Sequence, residues 1–297
     1  MKRLQLKAAA KINLSLDVTG KRPDGYHTLE SIFQSVTVYD TIDLTVEDGE
    51  GISLTCDVPD VPCDERNLAW KAAQALLDTC GTSAKITIAL HKMIPSGAGM
   101  GGGSADAAGV LWGLNRLLKC GYPNEQLREI GVKLGADVPF LLLGGTALAK
   151  GIGEELTVLK PIPSLRLIIV KGEEGVSTPS AYRAIDALTD PPHPDTAGML
   201  KAIETGDAAR LKQCCGNLFE TAIDCADVIR ARKRLLDCGA ECAVMTGSGA
   251  AVFGIFPEQM TETEYAAALR TLQSEFVFAQ SCVPADQPFV ITLGESE

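Results

Sequence analysis

Positive charge is in short supply in this chain. Its 297 residues carry 27 Lys and Arg against 38 Asp and Glu, a formal net charge of -11. Nucleic acids and anionic membranes are bound by clustered Lys and Arg, so neither is expected as a partner. A nucleotide ligand remains permitted, because one phosphate pocket needs only local positive potential. Long hydrophobic runs are also missing. The strongest apolar stretches, Val138–Leu143 and Leu167–Val170, have core-element length and fall far short of a membrane span. The opening M-K-R-L-Q-L-K-A-A-A-K is broken by Lys7 and Lys11, so no export signal is expected. Ten cysteines occur, but none forms a C-x-x-C pair and none stands near a His at zinc-site spacing. Reduced thiols of a cytoplasmic protein are the expectation, and no residue is nominated as a metal ligand. Internal repeats and low-complexity tracts are absent too.

The most informative stretch is Pro95–Asp106, P-S-G-A-G-M-G-G-G-S-A-D, with glycine at 97, 99, 101, 102 and 103. Such a run cannot pack a core and costs backbone entropy to order. It is tolerated where the main chain takes positive φ angles or closely approaches another group. Bare N–H groups at the start of a helix favour an anion. A helix is predicted to follow from Ser104, with Ala107, Leu111, Leu114 and Leu118 at spacings of three or four and Gly121 and Pro123 as its stop. The pattern predicts a phosphate loop at a helix N-terminus, with a flexible linker as the alternative.

Around this loop the chain alternates irregularly between strands and helices. Leu4–Asp17 reads as strand, and on one continuous strand Lys11, Asn13, Ser15 and Asp17 share a face. Gly20–His27 is a turn built on Pro23-Asp24-Gly25 that ends in Tyr26 and His27. Strands are predicted at Ile32–Val38, Thr41–Val46 and Lys85–His91, with helices from Asn67 to Gly81 and from an Asn124 cap to Gly135. Gly49–Cys63 reads as turns. Asp137 stands between a helix end and an apolar segment, where the plain reading is an N-cap before Pro139. Pro161 and Pro163 suggest a boundary, dividing the chain into an N-terminal domain, 1–160, and a C-terminal domain, 161–297. Beyond it come a strand at Leu165–Val170, a helix from Thr178-Pro179 carrying Tyr182, helical patterns from Ala197 to Cys238, and two apolar strands around Thr246-Gly247-Ser248-Gly249. A helix at Thr261–Phe276 and two short strands close the chain. The mixture predicts an α+β fold of two domains.

Three nucleotide sites use glycine loops. A Walker loop requires a Lys after the glycines, and none is present. Protein-kinase motifs are missing as well. Gly97-x-Gly99-x-x-Gly102 satisfies the dinucleotide pattern literally, although no convincing acid follows about 20 residues on. On the loop alone a dinucleotide enzyme stays open.

The whole set of motifs narrows the choice. The stretch P-S-G-A-G-M-G-G-G-S-A-D-A-A resembles the glycine loop of the galactokinase–homoserine kinase–mevalonate kinase–phosphomevalonate kinase (GHMP) superfamily. A-K-I-N-L at 10–14, P-D-G-Y-H-T-L at 23–29, L-G-A-D-V-P-F at 134–140 and M-T-G-S-G-A-A-V-F at 245–253 extend the resemblance over most of the chain. Met100 stands where Leu is usual, and Ala105 where a second Ser is common. The resemblance implies a small-molecule kinase with its active site in an interdomain cleft. In the member whose motif order matches, the acceptor is the 2-hydroxyl of a CDP-linked methylerythritol. By the same resemblance Lys11 and Asp137 are catalytic. ATP is implied to lie against Pro95, Ser96, Gly97, Ala98, Gly99, Met100, Gly101, Gly102, Gly103, Ser104 and Ala105, with Asn67 and Lys92 lining the adenine pocket. Tyr26, His27 and Tyr182 are implied to hold the cytosine, and Asn13 and Gly247, Ser248 and Gly249 to face substrate or phosphates. Mg²⁺ is implied by ATP chemistry rather than by any ligand cluster. Another GHMP kinase for a different small alcohol and a non-catalytic binder are the alternatives.

Overall fold

The computed structural model describes residues 1–296. The N-terminal half contains β1 (Lys2–Lys21), β2 (His27–Glu47), β3 (Gly51–Cys56), α1 (Leu68–Cys80), β4 (Lys85–His91), α2 (Gly102–Leu117), α3 (Asn124–Gly131), α4 (Val138–Leu143), β5 (Thr146–Lys150) and β6 (Glu155–Val158). The remainder contains β7 (Arg166–Lys171), α5 (Thr178–Asp186), α6 (Thr196–Thr205), α7 (Ala208–Cys214), β8 (Gly216–Asn217), a 3₁₀ turn (Leu218–Thr221), α8 (Ala226–Asp237), β9 (Cys242–Met245), β10 (Val252–Phe256), α9 (Glu262–Glu275), β11 (Phe278–Cys282) and β12 (Phe289–Ser296). An eight-stranded sheet runs β12-β1-β2-β4-β3, with β5 on β2, β6 on β5 and β8 on β1. A second sheet of four strands runs β11-β7-β10-β9.

β1 is one strand throughout, and Lys11 and Asn13 share a face, but a register shift between Asn13 and Ser15 breaks the alternation before Ser15 and Asp17. β2 differs from expectation: it runs unbroken through Tyr39-Asp40. The register shift between Ala9↔Tyr39 and Ala10↔Val36 bends it instead of ending it. One end of β2 then pairs β4 and the other β5. Helix α2 lies close on this sheet because Gly109 and Gly113 carry no side chain toward Leu6, Ile42 and Leu44. The main core lies between the sheet and α1, α2 and α4. Phe140 on α4 meets Phe33 on β2 edge-on, ring centroids 5.1 Å apart. A smaller core lies between the second sheet and α8 and α9.

Other expectations need correction. The turn-rich segment holds β3, which pairs parallel to β4. Pro123, not Asn124, caps α3, and α3 ends at Gly131 rather than Gly135. Gly216–Asn217 leaves the helical stretch to pair with β1. The second sheet draws its strands from 166–282, and β12 returns to β1. The last strand therefore lies with the N-terminal sheet, not with a unit running from 161 to 297. The all-reduced cysteine expectation fails at one pair. α1 and α2 pack together, and Cys80 at the end of α1 is disulfide-bonded to Cys120 just after α2, Cα atoms 6.4 Å apart. Among the described residues no helix is long and apolar enough to cross a membrane.

Candidate active site

The glycine loop follows β4, which ends at His91, and enters α2 at Gly102, two residues before the predicted start. Gly97, Gly99 and Gly101 all have positive φ, 61°, 73° and 75°. The loop is held on both sides. Lys11 N donates to Met100 O (3.1 Å) on the β1 side. On the other side, Ala250 N and Ala251 N donate to Gly97 O (3.3 Å) and Ala98 O (3.2 Å) from the β9–β10 turn. The two turns touch backbone to backbone. A methyl on Gly99 would fall on the Thr246 carbonyl, and one on Gly247 would come within 2.8 Å of Gly99 Cα.

Two cavities meet at this loop. The smaller, about 320 Å³, is lined by Leu68, Lys92 and residues 94–104. It takes in every nominated loop residue from Pro95 to Ser104. Ala105 does not line it, being buried inside α2. Asn67 does not either. Its Oδ1 caps α1 by accepting from Ala69 N (2.8 Å), and its Nδ2 donates to Pro62 O (2.8 Å). Lys92 lines the cavity, but its ammonium is held by Asp40 Oδ2 (2.5 Å) and Asp106 Oδ2. Asp40 Oδ1 also accepts from Met93 N (2.6 Å) and Ile94 N (2.8 Å), tying the loop's entry to β2. Asp106 Oδ1 is buried with no partner among the described residues. Burial pushes the Asp106 carboxyl up to about 7, against the pull of Lys92 and with the push of Asp40.

The larger cavity, about 660 Å³, contains Lys11, Asn13, Tyr26, His27, Asp137, Tyr182, Gly247 and Ser248. Gly249 does not line it. Lys11 is 3% exposed on β1. Its Nζ donates to Asn13 Oδ1 (2.9 Å), stands 3.8 Å from Asp137 Oδ2 and lies 5.1 Å over the Phe33 ring. Burial lowers the Lys11 pKa, while the Asp137 carboxylate pulls it back up. Asp137 does sit at the N-cap of α4, but its side chain makes no capping bond. The carboxylate is left facing the cavity, so the plain capping reading fails.

At the far end, His27 and Tyr182 stack on each other with centroids 4.5 Å apart and planes 17° from parallel. Phe219 meets Tyr182 edge-on at 5.0 Å. Tyr26 is 62% exposed. Sequence reading missed Asp186. Its Oδ1 accepts from His27 Nε2 (2.7 Å), and its Oδ2 from Lys21 Nζ (2.5 Å). The available signal was spacing: Asp186 follows Tyr182 by one helical turn. It also missed Thr246, fully buried between the two glycine turns.

The sequence matches the GHMP kinases N terminal domain over residues 67–145 and the GHMP kinases C terminal domain over 199–273. A 4-diphosphocytidyl-2-C-methyl-D-erythritol kinase of Pelotomaculum thermopropionicum is 42% identical over 279 residues, 93% of this chain and 97% of that one. One from Citrifermentans bemidjiense is 42% identical over 284 residues, covering 94% and 99%. The crystal structure of a 4-(cytidine 5'-diphospho)-2C-methyl-D-erythritol kinase superposes with a TM-score of 0.77 at 32% identity, covering 96% of this chain and 99% of that one. Homoserine kinase from Cytophaga hutchinsonii gives 0.76 at 19% identity, covering 97% of each chain, a likeness of fold.

Two predictions follow from the loop's surroundings. Gly97→Ala meets open space and should lose only the left-handed penalty, roughly 1–2 kcal/mol in urea unfolding. Gly99→Ala must also push the two turns apart, so it should lose more stability and, by calorimetry, weaken ATP binding where Gly97→Ala does not. The second concerns pH. Asp106 holds a proton in the folded protein up to about 7, well above its ordinary carboxyl range. The folded state therefore binds more protons than the unfolded between about pH 4 and 7. Stability contributed by this group falls as pH rises through that window, by about 1.4 kcal/mol per unit. Urea unfolding of Asp106→Asn should show a flatter profile over that range than wild type.

Proposed function

This chain belongs to the GHMP kinases and, within them, to the 4-diphosphocytidyl-2-C-methyl-D-erythritol kinase family, and from that premise we propose how its cleft works. It is an ATP-dependent kinase of isoprenoid precursor synthesis, and the acceptor is the 2-hydroxyl of the CDP-linked methylerythritol. The observation that carries this reading is the wall shared by the two cavities. Gly99, Gly101 and Ser104 face both, and Lys11 and Asp137 stand on the larger side of that wall. Phosphates following the loop end at this wall, and an alcohol in the larger cavity meets it from the other side.

Phosphoryl transfer depends mainly on alignment and charge neutralisation. The loop N–H groups and the start of α2 hold the phosphates. Asp137 orients the hydroxyl and accepts its proton as the new P–O bond forms. Lys11 keeps that carboxylate ionised and stabilises charge on the attacking oxygen. Among the described residues no three His, Cys, Asp or Glu side chains cluster to cage a metal. That donor set fits Mg²⁺ brought in by ATP, which keeps water and phosphate ligands and takes few from protein. Ser104, on the shared wall, offers it a hydroxyl, and the ion would supply charge neutralisation on the phosphates. His27, Tyr182 and Tyr26 form the cytosine end, where rings stack on a base and a polar edge pairs with it. The same reading puts the chain in the cytoplasm, where both nucleotides are at hand.

ADP release should be fastest with CDP-methylerythritol and slow with mevalonate or homoserine. Equal rates would refute the substrate assignment. Within that assay His27→Ala should raise KM for the CDP compound and leave KM for ATP unchanged. Asp137→Asn should bind ATP normally in calorimetry and lose roughly 10²–10⁴-fold in kcat. Turnover near wild type would remove Asp137 from the mechanism.

A further inference from the structure

Asn13 was nominated as a substrate contact, yet its side chain is already engaged. Its Oδ1 accepts from Lys11 Nζ (2.9 Å), Gly247 N (2.9 Å) and Thr246 Oγ1 (3.0 Å). Two of these groups can only donate, so this atom is the amide oxygen and both its lone pairs are in use. Asn13 Nδ2 donates to Ser31 Oγ (2.9 Å). Thr246 is bound just as fully. Its Oγ1 accepts from Asn13 N (3.0 Å), which leaves its own hydrogen for Asn13 Oδ1 at 3.0 Å or Gly99 O at 3.4 Å. Lys11, Asn13 and Thr246 are 3%, 1% and 0% exposed, so water does not replace these bonds.

One hydroxyl thus touches the phosphate loop at Gly99 and the oxygen that aims the Lys11 ammonium. We propose that Thr246 is a positioning residue that holds Lys11, through Asn13, in register with the phosphate loop. The Thr246 hydroxyl reaches no cavity. It acts by fixing where the Asn13 oxygen points, and with it the direction of Nζ toward Asp137. A lysine has three rotatable donors on a flexible stem, and among the described residues Asn13 Oδ1, at 2.9 Å, is closer to Lys11 Nζ than Asp137 Oδ2, at 3.8 Å. The inference rests on the assignment of Lys11 to the transferring phosphoryl group.

The test uses the full chain and three variants. Thr246→Val keeps shape and removes the hydroxyl, Thr246→Ala removes it without overpacking, and Thr246→Ser restores it. Loss of the hydroxyl should lower kcat by roughly 10- to 100-fold, the scale of a small misplacement at a reacting centre, with both KM values within about threefold. Thr246→Ser should recover most of the loss. In a cycle with Asn13→Ala, the double variant should lose little more than the worse single one. The Lys11 ¹³Cε NMR signal, assigned by its absence in Lys11→Met, should move in Thr246→Val and stay in place in Thr246→Ser. A kcat near wild type in Thr246→Val, multiplicative losses in the cycle, or an unmoved Lys11 signal would overturn the proposal. So would failure of both Val and Ala variants to fold, since the hydroxyl would then hold structure instead of Lys11. If wild type prefers mevalonate or homoserine, only the substrate assignment falls. The kinetic arms then run with that alcohol, and the NMR arm needs no substrate.

Discussion

The contact on which the site depends is backbone against backbone. Gly97–Gly99 and Thr246–Ala251 come from distant parts of the chain and meet main chain to main chain, with the Thr246 hydroxyl beside the contact. Two main-chain hydrogen bonds join them, and both Gly99 and Gly247 need positive φ. Only glycine satisfies the angle and the distance together. The approach fixes the separation of the two sheets at the cleft, because one turn leads into α2 on the first sheet and the other joins β9 to β10 of the second. The same approach uses the loop carbonyls at 97 and 98 as acceptors for the partner turn.

Charge is arranged around that contact in two buried groups. On the larger side Lys11 is, among the described residues, the one cation paired with Asp137, and its ammonium donates to the neutral amide of Asn13. Beneath the loop, Lys92 is pinned between two carboxylates, Asp40 and Asp106. If both were ionised the group would carry a net negative charge under a phosphate site. The raised Asp106 carboxyl relieves this by holding a proton near neutrality. The two lysines are thus differently placed: Lys11 faces the larger cavity beside Asp137, whereas Lys92 secures the loop's entry through Asp40.

What could be read from the sequence was local. Five glycines before an apolar 3.6-residue repeat announce a loop on a helix, and period-two alternation puts Lys11 and Asn13 on one face of β1. The Asp137 carboxylate was harder, because Asp before Val-Pro has the look of a cap. Only the missing capping bond separates the two roles. What could not be read was set by partners far along the chain. Asn67 has the residue type of a ligand contact, but Pro62 and Ala69 occupy its amide. β12 carries no mark of which sheet it joins. Cys80 and Cys120 are 40 residues apart, and only the side-by-side packing of α1 and α2 brings them together.

At the aromatic end of the cleft the rings are packed on one another. His27 and Tyr182 each present an apolar face that water solvates poorly, and stacked together they cover one another. In the proposed cytosine site a planar base would exchange one ring contact for another, so little apolar surface would be newly exposed on the way in. Asp186, itself held by Lys21, bonds the edge of His27 from outside the stack. The imidazole is therefore tethered at Nε2, while Tyr182 stacks on His27, meets Phe219 edge-on and packs against the smaller core. The hydrogen bond with Asp186 thus fixes the orientation of His27 within the stack, so that in the proposed cytosine site the ring edge would be set before a base arrives.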